Sequence, residues 1–167
     1  LDARSGPDRA ARAFPIPGMD PIYQMAIRER DARKAMRRAK TDSARDAAQE
    51  NVRRERRDIN VLAGGWLGQS LLRRAQTEDG FRERLAAFWT DHFSAVGKRP
   101  GLRLAQVNFA EEAIRPHLTG RFGDMLRAAV THPLMLHYLD QVQSVAPESY
   151  AGTRRPGRGL NENLARE

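Results

Sequence analysis

Apolar residues recur at intervals of three and four along most of the chain, which is the spacing of one face of an α-helix. The clearest stretch is FRERLAAFWTDHF, residues 81–93. The residues that share one face of this helix are Phe81, Leu85, Phe88, Trp89 and His92. Alternation of apolar and polar residues, the mark of a half-buried strand, is nowhere sustained. The sequence therefore predicts an all-α, multi-helix, bundle-like fold, with this aromatic face and His92 buried.

The same spacing, together with helix start and stop signals, predicts where the helices lie. The predicted helices span residues 22–48, 49–75, 81–93, 102–118 and 121–142. Asp79 is expected to cap the third, Pro116 to kink or shorten the fourth, and Pro133 to break the fifth at His132. The aromatic residues expected in the core are Trp66, Phe88, Trp89, Phe109, Phe122 and Tyr138.

Composition shifts divide the chain into a lead-in and one domain. Residues 1–21 are rich in Arg, Pro and Gly and predict an extended, unpacked lead-in. Residues 22–167 are expected to form the helical domain, and residues 143–159, rich in Pro, Gly and Arg, to form a mobile loop within it. A chain of 167 residues is long enough for one domain with a buried core.

Composition also excludes several classes of function. The chain has no cysteine, so disulfides and thiolate metal sites are excluded. It has no apolar run approaching the roughly 18–20 residues that cross a bilayer. The formal net charge of +8 is consistent with nucleic-acid binding. However, the basic stretch 28–57 also contains acidic residues and lacks aromatic residues for base stacking, which argues against nucleic acid as a partner.

The last nine residues, GLNENLARE, begin a helix that the chain does not continue. Asn161 is a good N-cap residue, and two pairs four residues apart, Glu162 with Arg166 and Asn163 with Glu167, each share a helix face. A helix that starts so close to the end, in a chain that begins at Leu1 rather than Met, leads us to expect a fragment of a larger helical protein.

Three segments resemble a known bacterial family. They are FWTDHF, EEAIRPHLTGRFGDMLRAAVTHPLMLHYLDQVQS and GLNENLARE, and they lie in the family's order and spacing within roughly residues 80–167. The chain thus closely resembles the family known as domain of unknown function 1800, and residues 1–79 match it only loosely. Family members are often exported and often occur beside a second family that resembles sulfatases. The resemblance therefore implies an exported or periplasmic location, a sulfatase-like partner, and a remaining C-terminal part of the domain that this chain would pack against.

The resemblance directs attention to a set of polar residues. The motif residues Trp89, Asn161, Asn163 and Arg166 are expected to be structural. We expect a polar pocket built from His92, His132, Asp140, Asn161, Glu162 and Glu167. In it, His92, Asp140 and Glu162 are the candidate catalytic residues, and a divalent metal would be held by His92, His132, Glu162 and Glu167.

Each of these residues also has a structural interpretation. His92 would be a hydrogen-bonded core histidine, His132 a helix cap, Asp140 a solvated side chain and Asn161 an N-cap. Glu111 interrupts an apolar stripe and is expected to pair with Arg115. No HExxH motif or Gly-rich phosphate loop is present.

Two hypotheses of different classes stay open at this point, and the sequence does not decide whether the protein is an enzyme. In the first, the polar pocket supports hydrolytic or metal-assisted chemistry. In the second, the protein is a non-catalytic scaffold or partner of a sulfatase-like enzyme, and the polar motif is a structural hydrogen-bond network.

Overall fold

The computed structural model describes residues 6–98, 102, 103, 105–154 and 159–166, and these residues form helices and turns without a strand. The all-α prediction is confirmed. The helices are α1 Arg9–Ala13, α2 Asp20–Arg38, α3 Asp42–Gln76, α4 Gly80–Phe93, α5 Gln106–Phe109, a π-helix Ala110–Ile114, a 3-10 helix Arg115–His117, α6 Phe122–Thr131, α7 Pro133–Tyr138, a 3-10 helix Gln141–Gln143, α8 Tyr150–Arg154 and α9 Asn163–Arg166. None of the described helices is long and apolar enough to span a membrane.

Helices α2 and α3 form an antiparallel hairpin, the most extensive contact between elements among the described residues. The Thr41 hydroxyl accepts a hydrogen bond from the Ala44 N–H at 3.2 Å and so caps α3. This cap places the break at residues 39–41 and not at residue 48, where the sequence predicted it. Within the hairpin, the buried Glu29 carboxylate accepts from Arg33 at 2.6 Å and from Arg56 at 3.0 Å.

Two predicted helix signals are confirmed around α4 and α7. The Asp79 carboxylate caps α4 by accepting from the Arg82 N–H at 3.0 Å. Pro133 follows the break at His132 and occupies the first turn of α7, where its missing N–H costs nothing. However, α7 ends at Tyr138, four residues before Val142, and Asp140 adopts a left-handed conformation with a φ of 58°.

The predicted helix over residues 102–118 is irregular, as Pro116 led us to expect. Among the described residues of this range, which exclude residue 104, regular α-helix extends only over α5, and the chain then widens into the π-helix and tightens into the 3-10 helix around Pro116. Proline has no N–H to donate to the fourth preceding carbonyl, so a regular ladder cannot pass through it. Two consecutive residues of the π-helix bind different parts of the protein: Glu111 binds Arg73, and Glu112 binds His132.

The core is built from apolar residues between Ile16 and Leu139. Its most deeply buried apolar side chains include Ile22, Ile59, Leu102, Phe109, Ile114 and Leu134. Trp66 and Phe109 are buried as predicted, with 8% and 0% of their surface exposed, and Trp89 and Tyr138 are partly buried against the core.

The expectation that the aromatic face of α4 is buried is wrong. Phe88 is 58% exposed, Phe122 on α6 is 52% exposed, and His92 is exposed. The side of α4 that faces the protein holds the buried residues Glu83 and Ala86. Glu83 is accommodated there because Arg115 pairs with it. Phe88 and His92 lie on the exposed side of the helix, and Trp89 packs partly against the core.

The lead-in also differs from the expectation of an unpacked segment. Its described part contains α1, capped by Asp8, and buries Ile16 and Met19 in the core. Its backbone is held by side chains of the domain: Phe14 O accepts from Arg73 at 2.7 Å, and Pro17 O from the buried Asn108 amide at 2.9 Å.

The predicted loop over residues 143–159 is closed by hydrogen bonds at its base. The Val145 N–H donates to Gly159 O at 3.0 Å, and Ser144 Oγ accepts from the Asn161 N–H at 2.9 Å. Helix α8 lies within the loop, and residues 155–158 lie outside the described part of the chain.

Candidate functional site

His132 lies at the turn between α6 and α7 and is buried, with 5% of its surface exposed. Its Nδ1 accepts a hydrogen bond from the Leu134 N–H at 3.1 Å and caps α7. Its Nε2 lies 2.7 Å from Glu112 Oε2. The other oxygen of Glu112 accepts from the Met19 N–H at 2.9 Å, so the histidine, the π-helix and the start of α2 form one network.

Burial lowers the pKa of His132, because removing an imidazolium from water disfavours the charged form. The neighbouring Glu112 carboxylate acts in the opposite direction but does not offset burial. The ring of Phe109 also meets the imidazole edge to face, with centroids 5.0 Å apart. In the neutral ring, Nδ1 is the acceptor and Nε2 therefore carries the proton that Glu112 accepts.

Asp140 lies just after the end of α7, in a turn that contacts Lys98. Its Oδ2 accepts from Lys98 Nζ at 2.6 Å, and its Oδ1 from the Gln143 amide at 3.3 Å. The hydrogen bond from Lys98 lowers the pKa of Asp140, which favours a carboxylate over a proton donor. The pair is half exposed, so it links two turns at the surface of the protein.

The motif residues near the end of the chain interact mainly with each other. The Asn161 side chain accepts from the Asn163 N–H at 2.9 Å, as expected of a residue that caps α9. Glu162 accepts from Arg166 one turn later, and both side chains are more than two-thirds exposed. Leu164 packs against the core and attaches α9 to it. Glu167 lies outside the described residues.

His92 lies on the exposed side of α4, between aromatic rings. Its imidazole stacks on Phe88 at 6.2 Å and meets Trp89 and Phe93 edge to face at 5.3 and 5.2 Å. Trp89 also contacts Phe122 of α6 at 5.5 Å. We call Phe88, Trp89, His92 and Phe122 the aromatic surface.

The predicted pocket residues occupy separate places. His132 bonds Glu112, Asp140 bonds Lys98, Glu162 bonds Arg166, and His92 lies on the aromatic surface. Among the residues that the structure describes, no three His, Asp or Glu side chains are close enough together to hold a metal ion. The roles predicted for these residues stay predictions.

Sequence reasoning missed a buried ionic network, although it foresaw one of its contacts. Arg115 Nε lies 3.7 Å from a Glu111 oxygen, the predicted pair. The Arg115 guanidinium also donates to Glu83 at 2.6 and 3.1 Å and to Asp8 at 2.7 and 3.1 Å, while Arg73 donates to Glu111. The only sequence signal for this network is a Glu within an apolar stripe.

The network contains two guanidinium groups and three carboxylates. Burial alone would lower the pKa of the Arg115 guanidinium, but the carboxylates of Glu83, Asp8 and Glu111 hold it above its ordinary value. Burial raises the pKa of Glu111, and the hydrogen bond from Arg73 offsets this only in part. The network joins the lead-in, α3, α4 and the π-helix.

An open groove of about 630 Å³ lies above this network, between α3, α4 and the π-helix. Its floor includes Glu83, Glu111 and Arg115, and its walls include the exposed side chains Leu71 and Phe88. A charged floor whose members are already paired offers few free partners to a small polar ligand, whereas apolar walls suit a protein side chain.

Comparison with known proteins gives one finding. A family model described as "Protein of unknown function (DUF1800)" matches residues 9–167. No curated protein and no solved structure matches the chain.

Proposed function

We propose that this protein is a non-catalytic, helical protein-binding module. The chain belongs to the DUF1800 family of proteins of unknown function. In this role the polar motif residues stabilise the fold. The aromatic surface binds an apolar stripe on a helix of another protein molecule. The observation that supports this most is the bonding of His132, whose two ring nitrogens both have partners within the fold.

A general base or a metal ligand needs a free ring nitrogen or a neighbouring ligand set. His132 instead closes a contact between α7 and the π-helix, and Asp140 closes one between two turns. Asn161 accepts a hydrogen bond at the first residue of α9, and Glu162 accepts one from Arg166 at its last residue. Each of these contacts stabilises a local part of the fold, which supports a structural interpretation of the motif.

The aromatic surface supports the binding part of the proposal. Two phenylalanines that are each more than half exposed, next to a tryptophan, form a contiguous apolar patch of the kind that marks protein interfaces. Aromatic side chains contribute much of the free energy of binding at such interfaces. A helix is the expected ligand because the groove beside Phe88 is itself bounded by helices.

The first test uses the pH dependence of stability. The pKa of His132 is lower in the folded protein than in the unfolded chain, so the unfolded chain binds the proton more readily. We expect the free energy of unfolding to fall as the pH drops below about 6.5, by about 1.4 kcal/mol for each unit by which folding lowers the pKa. His132→Asn should remove this dependence and keep the cap, since the Asn oxygen can accept from the Leu134 N–H.

Urea denaturation at a series of pH values measures the effect, and His92→Asn is the matched control on an exposed histidine. Equal pH dependence in the wild type and in His132→Asn would contradict the structural role of His132.

The second test is metal content. Under the proposal, inductively coupled plasma mass spectrometry should find no stoichiometric metal in the purified protein, in His92→Ala or in Glu162→Ala. One metal per chain that both variants lose while remaining folded would overturn the proposal and establish the metal site that the sequence predicted. The exported location and the sulfatase-like partner stay predictions of the family resemblance.

A further inference from the structure

Helix α4 has a stripe of four residues with opposite charges at its two ends. Arg84, Ala87, Phe88 and Asp91 lie at positions i, i+3, i+4 and i+7, and all four line the groove. The stripe therefore has a positive end, an aliphatic and aromatic centre, and a negative end.

The charges at the two ends of the stripe are not neutralised by any residue that the structure describes. Arg84 and Asp91 are exposed, and neither has an ion-pair partner among the described residues. Arg115 and Glu83, which line the same groove, are by contrast paired with each other. Phe88 at the centre of the stripe is 58% exposed.

We propose that α4 docks antiparallel against α4 of a second copy of this chain, across a two-fold axis between Ala87 and Phe88. The proposal rests on the protein-binding role proposed above, and it uses Phe88 of the aromatic surface together with the groove beside it. An antiparallel pairing at this centre brings Arg84 of each copy opposite Asp91 of the other. It also brings each Phe88 opposite an Ala87, a large side chain beside a small one. A two-fold interface needs this self-complementarity, in which each contact occurs twice.

The groove provides an apolar surface for the incoming Phe88. Leu67 and Leu71 of α3 line it and are 44% and 56% exposed, and Val107 of α5 lines it from the other side. Burial of Phe88 and of these leucines provides the affinity. The two Arg84–Asp91 pairs lie at the rim, where ion pairs add little affinity but select the register and the antiparallel direction.

The net charge of the chain acts against self-association. Each copy has a formal charge of +8, and the groove also contains Arg74. At an ionic strength of about 0.15 M the screening length is about 8 Å, so repulsion between distant charges is weak while the contacts within the stripe persist. The dimer should therefore be measured at that ionic strength.

Sedimentation equilibrium over a range of protein concentrations tests the proposal through a charge swap. The wild-type chain is expected to dimerise. Arg84→Asp should weaken the dimer at least about tenfold, because the change places two carboxylates opposite each other twice per dimer. The double variant Arg84→Asp/Asp91→Arg should restore wild-type affinity. Phe88→Ser should weaken the dimer by a similar or larger factor.

Val61→Ser is the matched control, since Val61 is 76% exposed on α3 and does not line the groove. It should leave the dimer unchanged, and circular dichroism should show that every variant is folded. A wild-type chain that stays monomeric up to its solubility limit overturns the α4 dimer. A dimer that none of the stripe variants weakens, or that the double variant fails to restore, overturns it as well. Neither result affects the pH and metal tests, which separately decide whether the polar motif is structural.

Discussion

Arg115→Leu is expected to lower the free energy of unfolding by about 3–5 kcal/mol, the range observed when one partner of a buried ion pair is removed. Arg115 donates to Glu83 and Asp8, and its side chain is 9% exposed. Leucine would leave Glu83, which is 6% exposed, without its guanidinium. Glu111 would retain only Arg73, so three carboxylates would share one positive charge.

Chemical denaturation measures the change, and Arg127→Leu is the matched control because Arg127 is exposed on α6. Arg115→Lys should give an intermediate loss, since an ammonium keeps the charge but cannot make the paired hydrogen bonds of a guanidinium. An effect of Arg115→Leu no larger than that of Arg127→Leu would show that the network does not stabilise the fold.

The same network explains why the helices could be predicted but the outward face of α4 could not. Spacing identified residues 81–93 as a helix, and Asp79 marked its start, because both signals are local in the chain. Which side of the helix faces the protein depends on partners distant in sequence. Glu83 is buried because Arg115, 32 residues later, pairs with it, and a sequence pattern assigns such a glutamate to solvent.

For the motif residues, local positions could be predicted to a similar extent, but distant partners could not. The residue order around Pro133 predicted a break at His132, and a helix cap was its structural interpretation; the break and the cap are both present. Its second partner, Glu112, could not be predicted because it lies 20 positions earlier in the chain, beyond the reach of local signals. Likewise, Asp140 was expected on a regular helix, and its left-handed conformation turns it toward Lys98.

Phe109→Ala is the second large prediction, with an expected loss of about 3–5 kcal/mol in the free energy of unfolding. Phe109 is 0% exposed and lies at the junction of α5 and the π-helix, so removal of its ring would leave a cavity in the core. Urea denaturation at neutral pH measures the loss. Tyr150→Ala, at a site that is 73% exposed, is the matched control.

The cavity left by Phe109→Ala should also alter the pH dependence of the free energy of unfolding. The Phe109 ring covers the imidazole of His132, and burial is the reason that the pKa of this histidine is lowered. Water entering the cavity would raise that pKa toward its ordinary value and shrink the loss of stability below about pH 6.5. A large loss of stability with unchanged pH dependence would mean that the cavity stays dry and that Phe109 acts through packing alone.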